Sequence, residues 1–222
     1  TRSLVVTGVQ TCALPISVEE LLDALPRRPR VVLIFLSCLD DLIGTDREAL
    51  LEVLHGRFPD LRFRICHMNP ISLDSKSPPP VTIRRRIYSL LEPSETKETS
   101  VNSIGNLEAV APECELHRVL EGLGAGELRH ISRCRTFEEF QRMASSRANL
   151  VLAPTGVQAA KDMERALGIP FLLLPVSYRI GEIEAGYRQL RDFLDPSGAE
   201  PDLSAERAAA LVAVEAALRA VG

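Results

Sequence analysis

From residue 18 onward, short continuous apolar runs alternate with segments whose apolar residues recur every three or four positions. Val18 to Leu25 reads as an amphipathic helix, and Arg30 to Leu36 as a strand buried on both faces. Asp46 caps a helix running to about His55, with Leu50, Val53 and Leu54 facing inward and Gly56 closing it. Leu61 to Cys66 is the next strand. His67 to Pro80 is rich in Pro and Ser, and Pro78-Pro79-Pro80 predicts irregular chain there. A helix over Thr82 to Leu91 and a polar linker over Pro93 to Thr99 complete this half.

The same alternation then repeats. Strands are predicted at Ser100 to Ile104, Leu128 to Ser132, Asn149 to Ala153 and Phe171 to Val176. Between them, Leu116, Val119, Leu120 and Leu123 mark a helix over Glu113 to Leu123. Thr136 and Glu139 form a capping box ahead of Phe137, Phe140 and Met143. Gly156 to Leu167 is a helix stopped by Gly168, with Pro170 beyond. Ile180, Ile183, Tyr187, Leu190 and Leu194 mark a long helix. Asp195 to Asp202 is a Pro/Gly linker, and Ser204 opens an Ala-rich helix to about Val221. Strands alternating with helices predict the α/β class, with parallel sheets flanked by helices. The linkers divide the chain into a first unit over 18–98, a second over 99–195, and a connecting segment over 196–222.

Residues 1–17 are treated separately. Val6 to Ile16 reads VTGVQTCALPI, which resembles the in-frame translation of a common short-read sequencing adapter. Gln10, Thr11 and Pro15 interrupt any apolar stretch, so the segment is no secretory signal. Residues 1–17, including Cys12, are therefore read as an artefact, and the chain is expected to be truncated at both ends.

Composition narrows the function. The chain has 222 residues, 25% of them charged, a net charge of -4 and no Trp. It lacks the basic face of a phosphate-backbone binder and the aromatic platforms of a single-strand binder, so no nucleic acid is expected. No apolar run nears the roughly 18 residues of a membrane span. The cysteines number five, an odd count without any Cys-x-x-Cys pair. That suits reduced thiols in the cytoplasm rather than a disulfide framework.

Cys38 follows the Arg30 to Leu36 strand at its carboxyl end, where open α/β sheets place their ligands. Its thiolate is a candidate iron-sulfur ligand; the competing reading is a buried small hydrophobe. Cys66 and His67 are adjacent on a strand, where neighbours point to opposite faces and seldom bind one ion, so they read as a strand end entering the His67 to Pro80 loop, itself a candidate contact for substrate or partner. Cys114 is flanked by Glu113 and Glu115 and reads as structural. Cys134, between Arg133 and Arg135, lies in a setting that favours thiolate but reads as an exposed turn residue. His55, His117 and His130 read as surface or capping residues. Arg84 to Arg86 reads as a solvated helix face. Ala153-Pro154-Thr155-Gly156 opens a helix at a strand's carboxyl end, a place that can hold an anion. No Walker A or Gly-x-Gly-x-x-Gly sequence occurs, so no direct nucleotide binding is expected.

Ser37-Cys38-x-x-x-x-Ile43-Gly44-x-Asp46 resembles a cysteine motif of the nitrogenase component 1 family. Val101 to Gly105, Arg147 to Val151, Leu167 to Phe171 and Pro175 to Tyr178 are similar, in order and spacing, to later segments of that family. The resemblance covers about Val18 to Leu194. It implies two Rossmann-like units, with Cys38 as one ligand of an iron-sulfur cluster (4Fe-4S or larger) shared at a subunit interface, the other ligands lying outside this sequence. It implies a homologous or identical partner subunit, and electrons delivered by a nitrogenase-reductase-like iron-sulfur ATPase. The Cys and His ligands of the nitrogenase active-site cofactor have no counterpart here, which leaves dinitrogen reduction unsupported. Two further readings stay open. One is a non-catalytic cofactor-assembly scaffold of the same family; the other is a two-lobed small-molecule binding protein in which Cys38 is core.

Overall fold

The computed structural model describes residues 4–7, 14–68 and 77–221. In the first half, β1 (Leu4–Thr7), α1 (Leu14–Ala24), β2 (Val31–Leu36), α2 (Cys38–Leu42), α3 (Arg47–Arg57), β3 (Arg62–His67) and α4 (Pro79–Tyr88) follow one another. The second half comprises β4 (Val101–Ile104), α5 (Glu115–Gly122), β5 (Leu128–Arg129), α6 (Phe137–Gln141), β6 (Ala148–Val151), α7 (Val157–Leu167), β7 (Phe171–Leu173), α8 (Ile180–Leu194) and α9 (Ser204–Val221). The strands form two sheets, in the orders β1-β2-β3 and β5-β4-β6-β7. Every pairing is parallel. This is the α/β class that the alternating pattern predicts.

Parallel strands need cover on both faces, and β2 shows how it is supplied. Val32, Ile34 and Leu36 join Val18, Leu22, Leu50, Leu54 and Phe63 in one core. Val31 and Leu33 point the other way, into a second core with Tyr88, Leu90, Phe140, Met143 and Met163. The third core covers the opposite face of the second sheet, where Val101, Leu150 and Leu152 meet Leu116, Val119, Leu120, Tyr187 and Leu190. At the seam between the halves, the Arg30 and Arg62 guanidiniums both lie over the Phe137 ring. Arg30 also pairs with Glu138, and Arg62 with Glu92.

Several elements depart from the sequence pattern, each for a local reason. Helix α4 starts at Pro79, inside the proline run expected to be irregular. A proline at the first helical position costs no hydrogen bond, because that N–H has no intrahelical partner. Helix α3 runs through Gly56 to Arg57, and Val53 is 50% exposed while Leu50 and Leu54 are buried. Strand β5 stops at Arg129 because the His130 side chain accepts the Ser132 N–H and turns the chain into a 3-10 helix. Strand β7 ends at Leu173, two residues before Pro175, which has no N–H to give a ladder. Strand β1 overlaps the start of the adapter-like segment and pairs in parallel with β2. Cys12 and loop residues 69–76 lie outside the described residues.

A buried polar ladder ties β4 to β6. Ser146 Oγ donates to Asn102 Oδ1 at 2.9 Å, and Asn102 Nδ2 donates to Asn149 Oδ1 at 2.8 Å and to the Met143 carbonyl at 2.9 Å. Beside it the buried Arg129 guanidinium donates to Glu98, to Ser145 Oγ at 3.1 Å and to the Arg142 carbonyl at 2.5 Å. Above the ladder the chain turns after β4 and after β6 touch backbone to backbone. A Cβ on Gly156 would lie 2.7 Å from Gly105 Cα and 2.9 Å from Gly105 N, while Gly105 itself has φ +102.

Two outcomes follow for stability. Gly156→Ala forces backbone apart and should destabilise the chain by about 1–3 kcal/mol, whereas Gly56→Ala, with open space around it, should be neutral or stabilising by up to about 1 kcal/mol; urea unfolding reads both. The bond from Arg129, with that from Ser145, holds the Glu98 carboxyl below its ordinary value of 4.5. A depressed acid contributes stability that is present above its unfolded value and lost as pH falls through the folded one. Glu98→Gln should therefore lower stability at neutral pH and flatten its decline below about pH 4.5, as followed by urea midpoints across an acid series.

Candidate functional site

The turn after β2 is built by its own sequence. Ser37 donates to Asp40 Oδ2 twice, from its N–H at 2.7 Å and from Oγ at 2.9 Å. The Asp40 carboxylate is thereby buried beneath the turn. Thr45 donates to the Asp40 carbonyl from N at 3.0 Å and from Oγ1 at 2.8 Å. Gly44 adopts φ +73, a region open to glycine. Asp46 Oδ1 then accepts the Glu48 and Ala49 N–H groups at 3.0 Å each and starts α3. Almost every polar residue of the motif is thus occupied in holding the turn.

Cys38 is the exception. It is exposed at the first position of α2, at the carboxyl end of the central strand of its sheet. The competing reading, a core thiol enclosed by Val, Leu and Ile, does not describe it. Leu39 and Ile43 are also exposed, and Leu42 is 81% exposed. A thiol standing in an outward apolar turn is accessible as a metal donor. Among the described residues no three His, Cys, Asp or Glu side chains converge on a possible metal ion.

The remaining thiols are placed differently. Cys66 is fully buried, and burial pushes its thiol up to about 11. Cys114 is the residue just before α5, and its thiol is raised by burial and by Glu115 and Glu113. Cys134 does not enjoy the thiolate-friendly setting its arginine neighbours suggest. Burial, with Glu139 and Glu127, raises it to about 11, and it is half-buried rather than an exposed turn residue.

His55, His117 and His130 serve structure. His55 meets Phe63 edge-on, and His117 Nε2 lies 3.1 Å from the Ala111 carbonyl. His130 is only 1% exposed, and burial lowers its affinity for a proton. It is a capping residue, as the sequence suggests, but an interior one. Arg85 is not merely solvated, since it pairs with Asp162 of α7 at 2.6 Å. The turn before α7 is filled by protein: Thr155 Oγ1 donates to the Gly105 carbonyl at 2.9 Å and Gly156 lies against Gly105. The sequence did not single out the cleft of about 490 Å³ between α5 and α8. Its lining comes from four separate segments, and no local motif marks it.

Two parallel sheets, helix-covered and with a thiol turn at one carboxyl edge, define a Rossmann-like α/β protein. The sequence model of the nitrogenase component 1 type oxidoreductases matches residues 16–221, and the chain belongs to that family. Solved structures of nitrogenase Cp1 at pH 5 and at pH 6.5 share the fold, each with a TM-score of 0.63 and 20% identity over 84% of this chain. This chain spans 38% and 36% of their respective lengths. No curated protein matches the sequence. Among the described residues no helix is long and apolar enough to cross a membrane.

These placements predict an order of thiol reactivity. Iodoacetamide near neutral pH should label Cys38 first, Cys114 and Cys134 slowly, and Cys66 only on unfolding. Peptide mass spectrometry over a time course checks this; early labelling of Cys66 would contradict its burial.

Proposed function

We propose that this chain is part of a nitrogenase-like oxidoreductase subunit in the cytoplasm. It receives electrons from an ATP-dependent iron-sulfur reductase, and they reach a small-molecule substrate through an iron-sulfur cluster at a subunit interface. Cys38 is the proposed cluster ligand contributed by this chain. The observation carrying the reading is the exposure of Cys38 in a turn whose polar neighbours are committed to holding it there. Family membership supplies the reaction class.

An iron-sulfur cluster, when bound, supplies reversible one-electron storage. The part played by this chain's own residues is positional. Asp40 and Thr45 fix the turn, so the Cys38 thiolate is presented without reorganisation. Leu39, Leu42 and Ile43 offer apolar surface that a homologous or identical partner subunit would cover, which keeps water from the thiolate. The further ligands would come from outside the described residues. Nucleotide hydrolysis is assigned to the reductase partner, because this chain carries no phosphate-loop sequence.

The test uses the anaerobically reconstituted complex. Cys38→Ala should lower bound iron and bleach the visible cluster absorbance, while Cys66→Ala leaves the iron unchanged. Undiminished iron in Cys38→Ala would remove Cys38 from the ligand set. Iron lost from a complex that shows no substrate reduction even as wild type would favour the assembly-scaffold reading of the same site.

A further inference from the structure

The cleft between α5 and α8 lies at the carboxyl edge of the second sheet, away from the Cys38 turn. Leu152 directly follows β6 and Leu174 directly follows β7, so the cleft opens where parallel α/β sheets take their ligands. Its volume of about 490 Å³ is in the range of small-molecule sites. Leu152, Leu174, Pro175, Val176 and Ile183 give it an apolar wall.

One carboxylate is fixed within that wall. Tyr187 OH donates to Glu115 Oε1 at 2.9 Å, and the Cys114 thiol donates to Glu115 Oε2 at 3.5 Å. Two ionised carboxylate oxygens offer about four acceptor positions, so Glu115 keeps capacity for a ligand. Among the described residues the only other charged group lining the cleft is Glu182, and it is engaged by Ser177 Oγ at 2.5 Å and by Arg179 at 3.0 Å. Among the described residues no Lys, Arg or His lines the cleft. An apolar space with a fixed carboxylate and no lining cation selects against anions and for a cationic donor.

We propose that this cleft binds a small apolar molecule carrying a protonated amine or a similar cationic N–H donor, anchored on Glu115. The apolar body fills the space against Leu152, Leu174 and Ile183. The donor replaces its lost water contacts with a charge-assisted bond to the carboxylate. The site is independent of Cys38 and of any cluster.

The whole chain, labelled at its Ile, Leu and Val methyl groups, can be titrated with three probes of one shape: benzylamine, benzyl alcohol and benzoate. Benzylammonium should shift the Leu152, Leu174, Val176 and Ile183 methyls, with benzyl alcohol about tenfold weaker and benzoate weaker still. Glu115→Gln should bring the amine down to the level of the alcohol, and persistence of alcohol binding shows the cleft intact. Glu182→Gln should leave the amine preference in place. The wild-type ranking is decisive without any variant. Equal binding of all three probes, or no shift of the cleft methyls, overturns the proposal. So does an amine preference that survives Glu115→Gln or is lost in Glu182→Gln.

Discussion

The structure depends on β2 burying both of its faces at once. A parallel strand left bare on one side would expose a row of Val, Leu and Phe side chains, at a cost of about 25 cal/mol for each Å² of apolar surface. Here the two faces are covered by different parts of the chain. Val32, Ile34 and Leu36 face helices of the first half. Val31 and Leu33 share a core with Phe140, Met143 and Met163 of the second half. The first half therefore cannot complete its central strand alone. The Arg30 and Arg62 guanidiniums over Phe137 close the seam at its wet margin, where stacked cations add modestly to the buried contacts.

Parallel pairing brings the carboxyl ends of the strands in each sheet to one edge, and the two edges are used differently. In the first sheet the turn after β2 rises into solvent and carries Cys38 outward. In the second sheet the chain passes from β4 to β5 on one side and returns to β6 on the other. That reversal normally leaves a crevice for ligands. Contact between Gly105 and Gly156, with the Thr155 hydroxyl on the Gly105 carbonyl, closes it with backbone. The free space lies instead to one side, between the start of α5 and α8. The helix N-terminus that the sequence offers as an anion site is unavailable for the same reason.

What the sequence conveyed follows from the range of the interactions involved. Helices α5, α7 and α8 have apolar residues at helical spacing and were legible at once, as was the Gly168 stop, which has φ +65. The Ser37 to Asp46 turn was legible as a motif because its hydrogen bonds run between residues at most five apart. Local sequence misleads where distant contacts decide. Val53 has the spacing of a core residue, yet α3 turns it to solvent. His130 caps its turn, as a local reading suggests, yet it is buried beside the second sheet. Cys134 has arginine neighbours in sequence, while its proton affinity is set by burial and by two glutamates. The Glu115 cleft was invisible for the same reason, since Tyr187 reaches Glu115 across 72 positions.

Burial also sorts the thiols in a way that bears on metal chemistry. A thiol enclosed in an apolar core binds its proton more tightly, because the thiolate loses solvation without gaining a partner. Cys66 is held in that state, and the half-buried Cys134 and Cys114 are pushed the same way by burial and by neighbouring glutamates. Each would have to be both uncovered and deprotonated before it could hold a metal. Cys38 needs no uncovering, since its turn is fixed by Asp40 and its side chain is already exposed. One thiolate alone is a weak holder of any metal, however, and gains strength when further donors are fixed around the same ion. In the proposed function those donors belong to a second surface that covers the exposed Leu42 and Ile43 beside the sulfur.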